Sequence, residues 1–187
     1  MNKLRVAILT ISDSVSNGHR EDSSGLLIKN MADALGWKVV RRDVVPDELA
    51  DIQRVLKSWA DKGNVDLILS TGGTGLGPRD VTPEATNKVI ERIVPGISEV
   101  IRAESVKNTP FGMLSRGVSG VRNRCLIVNL PGSPKAVQEC LDSIKEVLPH
   151  AIELMRGDIT HHVVSGTKVI NTKLNNKSST LTKPTNH

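Results

Sequence analysis

Aromatic residues are scarce in this chain, which has one Phe, two Trp and no Tyr among its 187 residues. The hydrophobic core must therefore be aliphatic, and nucleic-acid binding by base stacking is not expected, because it depends on exposed aromatic rings. Cysteine is scarce as well. Cys125 and Cys140 provide no disulfide framework, and both fall in segments predicted to be buried. Their pattern favours a reducing, intracellular setting.

Long apolar runs are also missing. The apolar run in the N-terminal segment MNKLRVAILTIS is too short for a signal peptide. No apolar run in the sequence approaches the length of a membrane span. We therefore expect a cytoplasmic protein without membrane association. The net charge of +5 does not indicate a nucleic-acid partner, because four of the 25 basic residues and none of the 20 acidic residues follow Asp158. Residues 1–158 are therefore nearly neutral.

Two common nucleotide-binding motifs are absent. There is no Gly-Lys-Ser/Thr sequence, which excludes a P-loop. Gly73, Gly75 and Gly77 form G-x-G-x-G, whereas the dinucleotide fingerprint is G-x-G-x-x-G. A generic nicotinamide-dependent dehydrogenase is therefore disfavoured.

The most informative stretch is VDLILSTGGTGLGPRDVTPEA, residues 65–85. Its first six residues predict a buried strand, and the glycine-rich segment 71–78 lets backbone amides approach a ligand without interference from Cβ atoms. Thr82 is predicted to be the N-cap of a helix with Pro83 at its first position. The helix is predicted to carry an apolar stripe formed by Ala85, Val89, Ile90 and Ile93. A strand, a glycine loop and a helix N-terminus together predict an anion site.

Charged residues suggest which anion binds there. Arg79 can pair with a phosphate, and the adjacent Asp80 can hold a divalent cation, so the pair suggests a magnesium nucleotide. The alternative is a tight turn in which Arg79 and Asp80 form an ion pair with each other, or in which Asp80 helps to cap the following helix.

Strand and helix patterns alternate along the chain. Buried strands are predicted at 4–12, 38–45, 65–70 and 125–129, and the second of these is more polar and so lies nearer an edge. The alternation predicts an α/β fold, a three-layer α/β/α arrangement around a mostly parallel central sheet. Asp13, Asp47 and the loops 71–80 and 129–134 would then share the carboxyl edge of the sheet, where ligands bind.

The C-terminal part is divided into two predicted segments. One helix is predicted to carry Val137, Cys140, Leu141, Ile144 and Leu148 at helical spacing. The apolar pattern then fails, so we expect a folded domain over 1–158 and a disordered polar and basic tail over 159–187. His161 and His162 form no metal site, because the tail supplies no further ligands.

Several motifs occur in order and at a specific spacing. They are ISDS near the start, VPDE at 45–48, TGGTGLGPRDVTPEAT from 71, MLSR at 113–116 and NLPGSPKAV at 129–137. Together they closely resemble the MogA/MoaB family of molybdenum-cofactor biosynthesis. The chain most resembles its catalytically active molybdopterin adenylyltransferases, such as MogA and the G domains of gephyrin and its plant counterpart. The resemblance covers about residues 4–158.

This resemblance implies an adenylyl transfer, in which molybdopterin and Mg-ATP give adenylyl-molybdopterin and pyrophosphate. It implies ATP as co-substrate, Mg²⁺ as the metal, a homotrimer, and a possible molybdenum insertase acting downstream. Two alternatives within the family are a non-catalytic molybdopterin-binding or scaffold protein and the related insertase domain, which needs further domains. Retained acids at 47 and 80 argue against the first of these.

The resemblance also assigns residues. The family's essential acidic pair falls on Asp47 and Asp80, which would act in catalysis and hold Mg²⁺. Asp47 has an alternative interpretation as the N-cap of a helix over 48–62. Residues expected to bind substrate or nucleotide are Ser12, Asp13, Thr71, Gly72, Gly73, Thr74, Gly75, Arg79, Ser115, Pro131, Gly132 and Ser133. Among these, Ser115 matches a family serine at the pterin site.

Overall fold

The computed structural model describes residues 3–157 and shows a single six-stranded sheet between two layers of helices. The strands are β1 (Arg5–Ile11), β2 (Lys38–Val45), β3 (Leu67–Thr71), β4 (Arg92–Ile93), β5 (Ser119–Arg122) and β6 (Cys125–Leu130). The helices are α1 (Asp13–Ser16), α2 (Ser23–Ala34), α3 (Leu49–Asp61), α4 (Thr82–Asn87), α5 (Pro95–Asn108), α6 (Pro134–Ile144) and α7 (Val147–Arg156), and a 3₁₀ helix spans Pro110–Leu114.

The strand order is β2-β1-β3-β6-β5-β4. The first four of these strands run parallel, whereas β5 pairs antiparallel with both β6 and β4. The α/β class and the mostly parallel sheet are therefore confirmed, and β2 lies at the edge as predicted. The parallel strands bring the ends of β1, β2, β3 and β6 to one side of the molecule, which positions the loops that follow them.

Alternate residues of the strands pack against opposite helical layers. In β1, Val6 and Ile8 face a core cluster shared with α2, α5, α6 and α7, and Ala7 and Leu9 face a second cluster shared with α3 and α4. All four of these side chains are fully buried. Aliphatic packing on both faces explains how so few aromatic residues suffice, and it makes the sheet a rigid base for the loops.

Two helix predictions were wrong. Helix α4 ends at Asn87, so Val89, Ile90 and Ile93 of the predicted stripe lie beyond it, and Ile93 belongs to the short exposed strand β4. The single C-terminal helix is in fact two, α6 and α7. Pro149 accounts for the break, since it has no amide hydrogen to donate to the carbonyl of Lys145 and its ring would clash with that carbonyl in a continuous helix.

Thr82 is not the N-cap that was predicted. It is the first residue of α4, and Val81 precedes it without any side-chain capping bond. The Thr82 hydroxyl instead donates to the carbonyl of Gly72 at 2.9 Å, and its amide donates to the carbonyl of Gly73. Thr82 therefore fixes the glycine loop to the helix that follows it.

Within residues 3–157, no helix is long and apolar enough to cross a membrane. The predicted tail, including His161 and His162, lies outside the described residues.

Candidate functional site

A cavity of about 410 Å³ opens at the carboxyl ends of β1, β3 and β6. Its walls come from the loops after these strands and from the start of α2 and α6. The lining residues are Thr10, Ile11, Ser12, Val15, Arg20, Glu21, Asp22, Ser23, Ser24, Asp47, Thr71, Gly72, Gly73, Asp80, Gly132, Ser133 and Pro134. The predicted loops after β1, β2, β3 and β6 therefore converge on one concave, largely polar site.

Asp47 is held by the loop after β1. Its Oδ2 accepts a hydrogen bond from the amide of Asp13 at 2.8 Å, and the amide of Asp47 donates to Asp13 Oδ1 at 3.0 Å. Helix α3 begins at Leu49 after Glu48, with no side-chain capping bond. The helix-cap interpretation of Asp47 is therefore wrong, because its carboxylate is directed to the neighbouring loop.

Arg79 reinforces this arrangement. Its guanidinium donates through Nε and Nη2 to the two carboxylate oxygens of Asp13, at 3.1 and 3.0 Å, and through Nη1 to Glu48 at 2.7 Å. The predicted alternative of an Arg79–Asp80 ion pair is therefore not what forms. A forked guanidinium fixes the orientation of a carboxylate as well as its charge, so Arg79 positions Asp13, and through it Asp47.

Glycines 73, 75 and 77 make room for the two acids. A Cβ atom on Gly73 would lie 3.0 Å from Asp47 Oδ1, and one on Gly75 or Gly77 would lie 2.9 or 2.8 Å from Asp80 Oδ2. Gly72 has a φ of 101°, and a Cβ there would lie 2.2 Å from the carbonyl oxygen of Ile11. The absence of side chains at these glycines thus leaves space for the carboxylates of Asp47 and Asp80, and it also lets the loop backbone approach a ligand.

Asp80 closes the glycine loop. Its Oδ2 accepts the amide of Gly77 at 2.7 Å, and it makes no side-chain capping bond to α4. Arg116, which belongs to the MLSR motif but was not among the predicted site residues, holds the same loop from outside. Its guanidinium donates to the carbonyls of Gly75 and Asp80 and pairs with Glu84. Arg116 therefore holds the backbone that carries Asp80.

The loop after β6 supplies the opposite wall. The Thr71 hydroxyl donates to the carbonyl of Pro131 at 2.6 Å, which ties the ends of β3 and β6 together. Ser133 caps α6 by accepting the amide of Ala136. Gly132 lies against Gly72, since a Cβ on Gly132 would be 3.4 Å from the Cα of Gly72. These contacts hold the loop after β6 against the glycine loop that follows β3.

The predicted site residues divide into two groups. Ser12, Asp47, Asp80 and the loop residues 71–73, 132 and 133 line the cavity. The others lie behind the wall or away from it: Asp13, Thr74, Gly75, Arg79, Ser115 and Pro131. Ser115 lies at the turn after the 3₁₀ helix, where its hydroxyl accepts the amide of Gly117.

Part of the cavity wall was not predicted from the sequence. Thr10 near the end of β1 and Asp22 and Ser24 at the start of α2 line the cavity, and Arg20 lies at its exposed rim. Asp22 is the N-cap of α2, accepting the amide of Gly25 at 2.8 Å. An acid followed three residues later by the start of an apolar helical pattern is a recognisable cap signal, and its position after β1 would have placed it at this edge.

Burial raises the pKa of the Asp47 carboxyl, and the nearby charges of Asp13 and Asp80 act in the same direction, while the amide hydrogen bond from Asp13 opposes the rise. In contrast, hydrogen bonds from Arg79 lower the pKa of Asp13. Two acids that lie side by side thus differ in their proton affinity. The charged form of Asp47 is the less stabilised of the two, so a bound cation would stabilise it more.

A metal could be held here by few protein ligands. Among residues 3–157, no group of three or more His, Cys, Asp or Glu side chains is arranged to hold an ion. Asp47 and Asp80 nevertheless face the same cavity. Mg²⁺ commonly binds through one or two carboxylates together with substrate phosphates, so the donor set fits a metal that arrives with a phosphate ligand.

Comparison with known families matches residues 7–150 to the model described as a probable molybdopterin binding domain. This chain belongs to that family. The match includes every loop that forms the cavity, so the predicted family is confirmed.

Relatives of the family include molybdopterin adenylyltransferases from Helicobacter pylori strain J99 and Escherichia coli K12. They are 38% and 36% identical to this chain, over 84% of it in each case and over 91% and 88% of their own lengths. The Drosophila melanogaster molybdenum cofactor synthesis protein cinnamon is 41% identical over 89% of this chain, which spans only 29% of that longer protein.

Solved structures of the family share the fold. The molybdopterin biosynthesis enzyme MoaB from Thermus thermophilus is 49% identical, with a TM-score of 0.78 over 82% of this chain and 97% of that one. A MogA structure is 36% identical, with a TM-score of 0.77 over 81% of this chain and 99% of that one.

Proposed function

We propose that this protein is a molybdopterin adenylyltransferase of molybdenum-cofactor biosynthesis, transferring the adenylyl group of ATP to molybdopterin. The observation that carries the proposal is that Asp47 and Asp80 both lie against the glycine loop and both line one cavity. Relatives named for this activity match over most of their own length, which supports the same chemistry here.

In the proposed reaction, the terminal phosphate oxygen of molybdopterin attacks the α-phosphorus of ATP. A new phosphorus–oxygen bond forms, the bond from the α-phosphorus to its bridging oxygen breaks, and pyrophosphate leaves with that electron pair. The reaction needs no covalent protein nucleophile. Positioning and electrostatic stabilisation therefore supply the catalysis.

Asp47 and Asp80 would hold Mg²⁺, which when bound screens the charge of the two phosphate groups that must approach each other. Both acids are fixed before any ligand arrives, Asp47 by the amide of Asp13 and Asp80 by the amide of Gly77. Fixed carboxylates lose little conformational entropy when the metal binds, so the site is preorganised.

The remaining residues have distinct proposed roles. Ser12, Thr71, Gly72 and Gly73 and the loop at 132–133 would contact the substrates, because they line the cavity. Asp13 and Arg79 would position Asp47. Thr74, Gly75 and Pro131 would shape the loops from behind. A role for Ser115 in pterin binding is proposed from the resemblance, since this residue lies outside the cavity wall.

We propose a homotrimer in the cytoplasm. Exposed apolar side chains at the end of α5 and in the 3₁₀ helix support self-association, because an apolar surface of this kind is usually covered in an assembly. Phe111 is 75% exposed, Met113 66% and Leu114 49%. A downstream insertase is the proposed recipient of the product.

A direct test mixes purified protein with molybdopterin and Mg-ATP and detects adenylyl-molybdopterin and pyrophosphate by chromatography. Omission of Mg²⁺, or its chelation, should abolish product formation. A protein that binds molybdopterin tightly but makes no product under these conditions would instead be the non-catalytic member of the family.

A further inference from the structure

Arg116 is not part of the cavity wall, yet it contacts the glycine loop at two separate points. Its Nε donates to the carbonyl of Gly75 at 2.7 Å, and its Nη2 donates to the carbonyl of Asp80. Its backbone amide donates to the carbonyl of Thr74 at 2.9 Å. One side chain therefore joins the two ends of the segment 75–80.

Residues 76–79, which lie between these two ends, are exposed. The two hydrogen bonds between Gly77 and Asp80, one from each amide, join residues of the same segment and therefore move with it. Arg79 attaches the segment to the loop after β1 through an exposed side chain. Arg116 acts on the backbone of Asp80 itself, at its carbonyl.

Glu84 fixes the orientation of the Arg116 guanidinium. It lies in the first turn of α4 and pairs with Nη1 of Arg116. Its neighbours Pro83 and Ala85 are buried, so the backbone that carries Glu84 is anchored in the domain. A guanidinium presents its N–H donors in a fixed plane. Pairing with Glu84 thus directs the other donors at the two carbonyls of the loop.

This contact restricts the position of the Asp80 side chain. The carbonyl that accepts from Arg116 and the Cα atom of Asp80 belong to one planar peptide unit, so holding the carbonyl also holds the point from which the side chain starts. Asp80 lines the cavity and is one of the two acids proposed to bind Mg²⁺. Removing a group that orients a metal ligand typically costs about tenfold to a hundredfold in metal affinity or activity.

We propose that Arg116 is a positioning residue for the metal site: by joining the carbonyls of Gly75 and Asp80 to α4, it holds the Asp80 carboxylate in the place where Mg²⁺ binds. The inference rests on the proposed function. Arg116 does not line the cavity, so its effect does not come from contact with a substrate. It is expected in the Mg²⁺ concentration that the protein requires, and not in molybdopterin binding.

The test compares the full chain with its Arg116→Lys variant. Lysine keeps the positive charge and can pair with Glu84, but its single ammonium group lacks the planar fork that reaches two carbonyls. The matched control is Arg102→Lys, because Arg102 also donates to a backbone carbonyl, that of Gly117 at 2.9 Å, which is outside the glycine loop. Isothermal calorimetry measures Kd for α,β-methylene-ATP, which cannot transfer its adenylyl group, over a series of Mg²⁺ concentrations. A separate titration measures Kd for molybdopterin.

We expect Arg116→Lys to raise the Mg²⁺ concentration that gives half-maximal nucleotide affinity by about tenfold, with Kd for molybdopterin unchanged and Arg102→Lys like wild type. The nucleotide's own affinity for Mg²⁺ is the same in every titration, so the shift belongs to the protein. Turnover of Arg116→Lys should be reduced most at low Mg²⁺ and should recover as Mg²⁺ saturates. A purely structural role would lower the melting temperature without moving the Mg²⁺ dependence.

Folded Arg116→Lys with the wild-type Mg²⁺ dependence would overturn the inference and leave the proposed function intact. A wild type that binds neither ligand would overturn both. If thermal melting shows that Arg116→Lys is unfolded, Glu84→Ala decides, because Glu84 is exposed and alanine favours a helix. Loss of the pairing with Glu84 should raise the Mg²⁺ requirement in the same direction, and an unchanged requirement would contradict the role of Arg116.

Discussion

Asp13 and Asp47 exchange hydrogen bonds, each backbone amide donating to the carboxylate of the other residue, at 2.8 and 3.0 Å. The two residues follow neighbouring parallel strands, β1 and β2, and are 34 positions apart in the chain. The exchange locks two loops together and leaves Asp47 Oδ1 beside Gly73. It makes Asp47 part of the cavity wall and removes it from helix capping.

Asp47→Asn and Asp80→Asn should each reduce turnover by about a hundredfold or more, because each removes a charge that stabilises the metal and the transition state. Asparagine retains the oxygen that accepts the amide of Asp13 or Gly77, so folding and molybdopterin binding should persist. Product formation under saturating Mg-ATP measures the effect. Asp43→Asn, an exposed acid on β2, serves as the control. Wild-type turnover in folded Asp47→Asn would refute the catalytic assignment.

The acid limb of kcat/KM should lie above the ordinary aspartate pKa of about 3.9. Burial, with the neighbouring charge of Asp13 as a smaller cause in the same direction, raises the pKa of Asp47 in the free enzyme. The carboxylate needed for metal binding is therefore lost as the pH falls through this raised value. Asp13→Asn removes one of the raising charges and should move the limb to lower pH. An acid limb that does not move in this variant would argue against Asp47 as the titrating group.

Asp66 should stabilise the fold at the opposite edge of the sheet. Burial by itself raises the pKa of Asp66, but hydrogen bonds from Arg5 and Arg156 outweigh it and lower the pKa to about 2. Asp66→Asn should cost about 2 kcal/mol of unfolding free energy, less than for a fully buried pair because both arginines are partly exposed. Denaturant unfolding measures it, with Asp33→Asn as the exposed-pair control.

The same residue predicts a pH dependence of stability. Because the pKa of Asp66 is lower in the folded state than in the unfolded chain, its contribution is fully present above about pH 4 and is lost as the pH falls toward about 2. The unfolding free energy of wild type should therefore fall more steeply over this range than that of Asp66→Asn. Parallel curves for the two proteins would contradict this account.

Sedimentation should give a mass near three times 20.2 kDa for the wild type. Phe111→Asp and Met113→Asp place charges on the exposed apolar surface and should shift the mass toward that of a monomer if this surface forms the interface. Val147→Asp, an exposed apolar position on α7, is a matched control. A wild-type monomer at micromolar concentration would remove the trimer and leave the fold unaffected.

Truncation after Gly157 should leave thermal stability and adenylyl transfer nearly unchanged. The prediction comes from the sequence of the tail, which lacks an apolar pattern and carries four lysines and no acids after Asp158. Melting temperature and turnover of the truncated chain are the measurements. Loss of folding or activity would show that the tail packs on this domain or on a neighbouring subunit.

The sequence by itself determined the layers of the fold and the edge at which the site lies. Hydrophobic periodicity is a local property of the sequence. Strands β1, β2, β3 and β6 were predicted in order because strand and helix patterns alternate and are separated by residues that favour turns. The convergence of the loops at Asp13, Asp47, 71–80 and 129–134 follows from parallel strand order. Asp80 was suggested as a cation ligand by its place after the glycine loop, but its pairing with Asp47 as the catalytic acids came from matched family motifs, since no spacing rule relates the two residues.

Only the tertiary structure decided which partner each polar group takes. Asp47 could have capped α3, which begins two residues later, and Arg79 could have paired with its neighbour Asp80. The sequence does not exclude either local partner. Their actual partners depend on the register of β1 beside β2, which brings Asp13 to Asp47 across 34 residues. Arg116 was missed because its hydrogen bonds join distant segments, and such bonds leave no periodic signal in the sequence. Asp22 was missed although its position as a helix cap is a local signal.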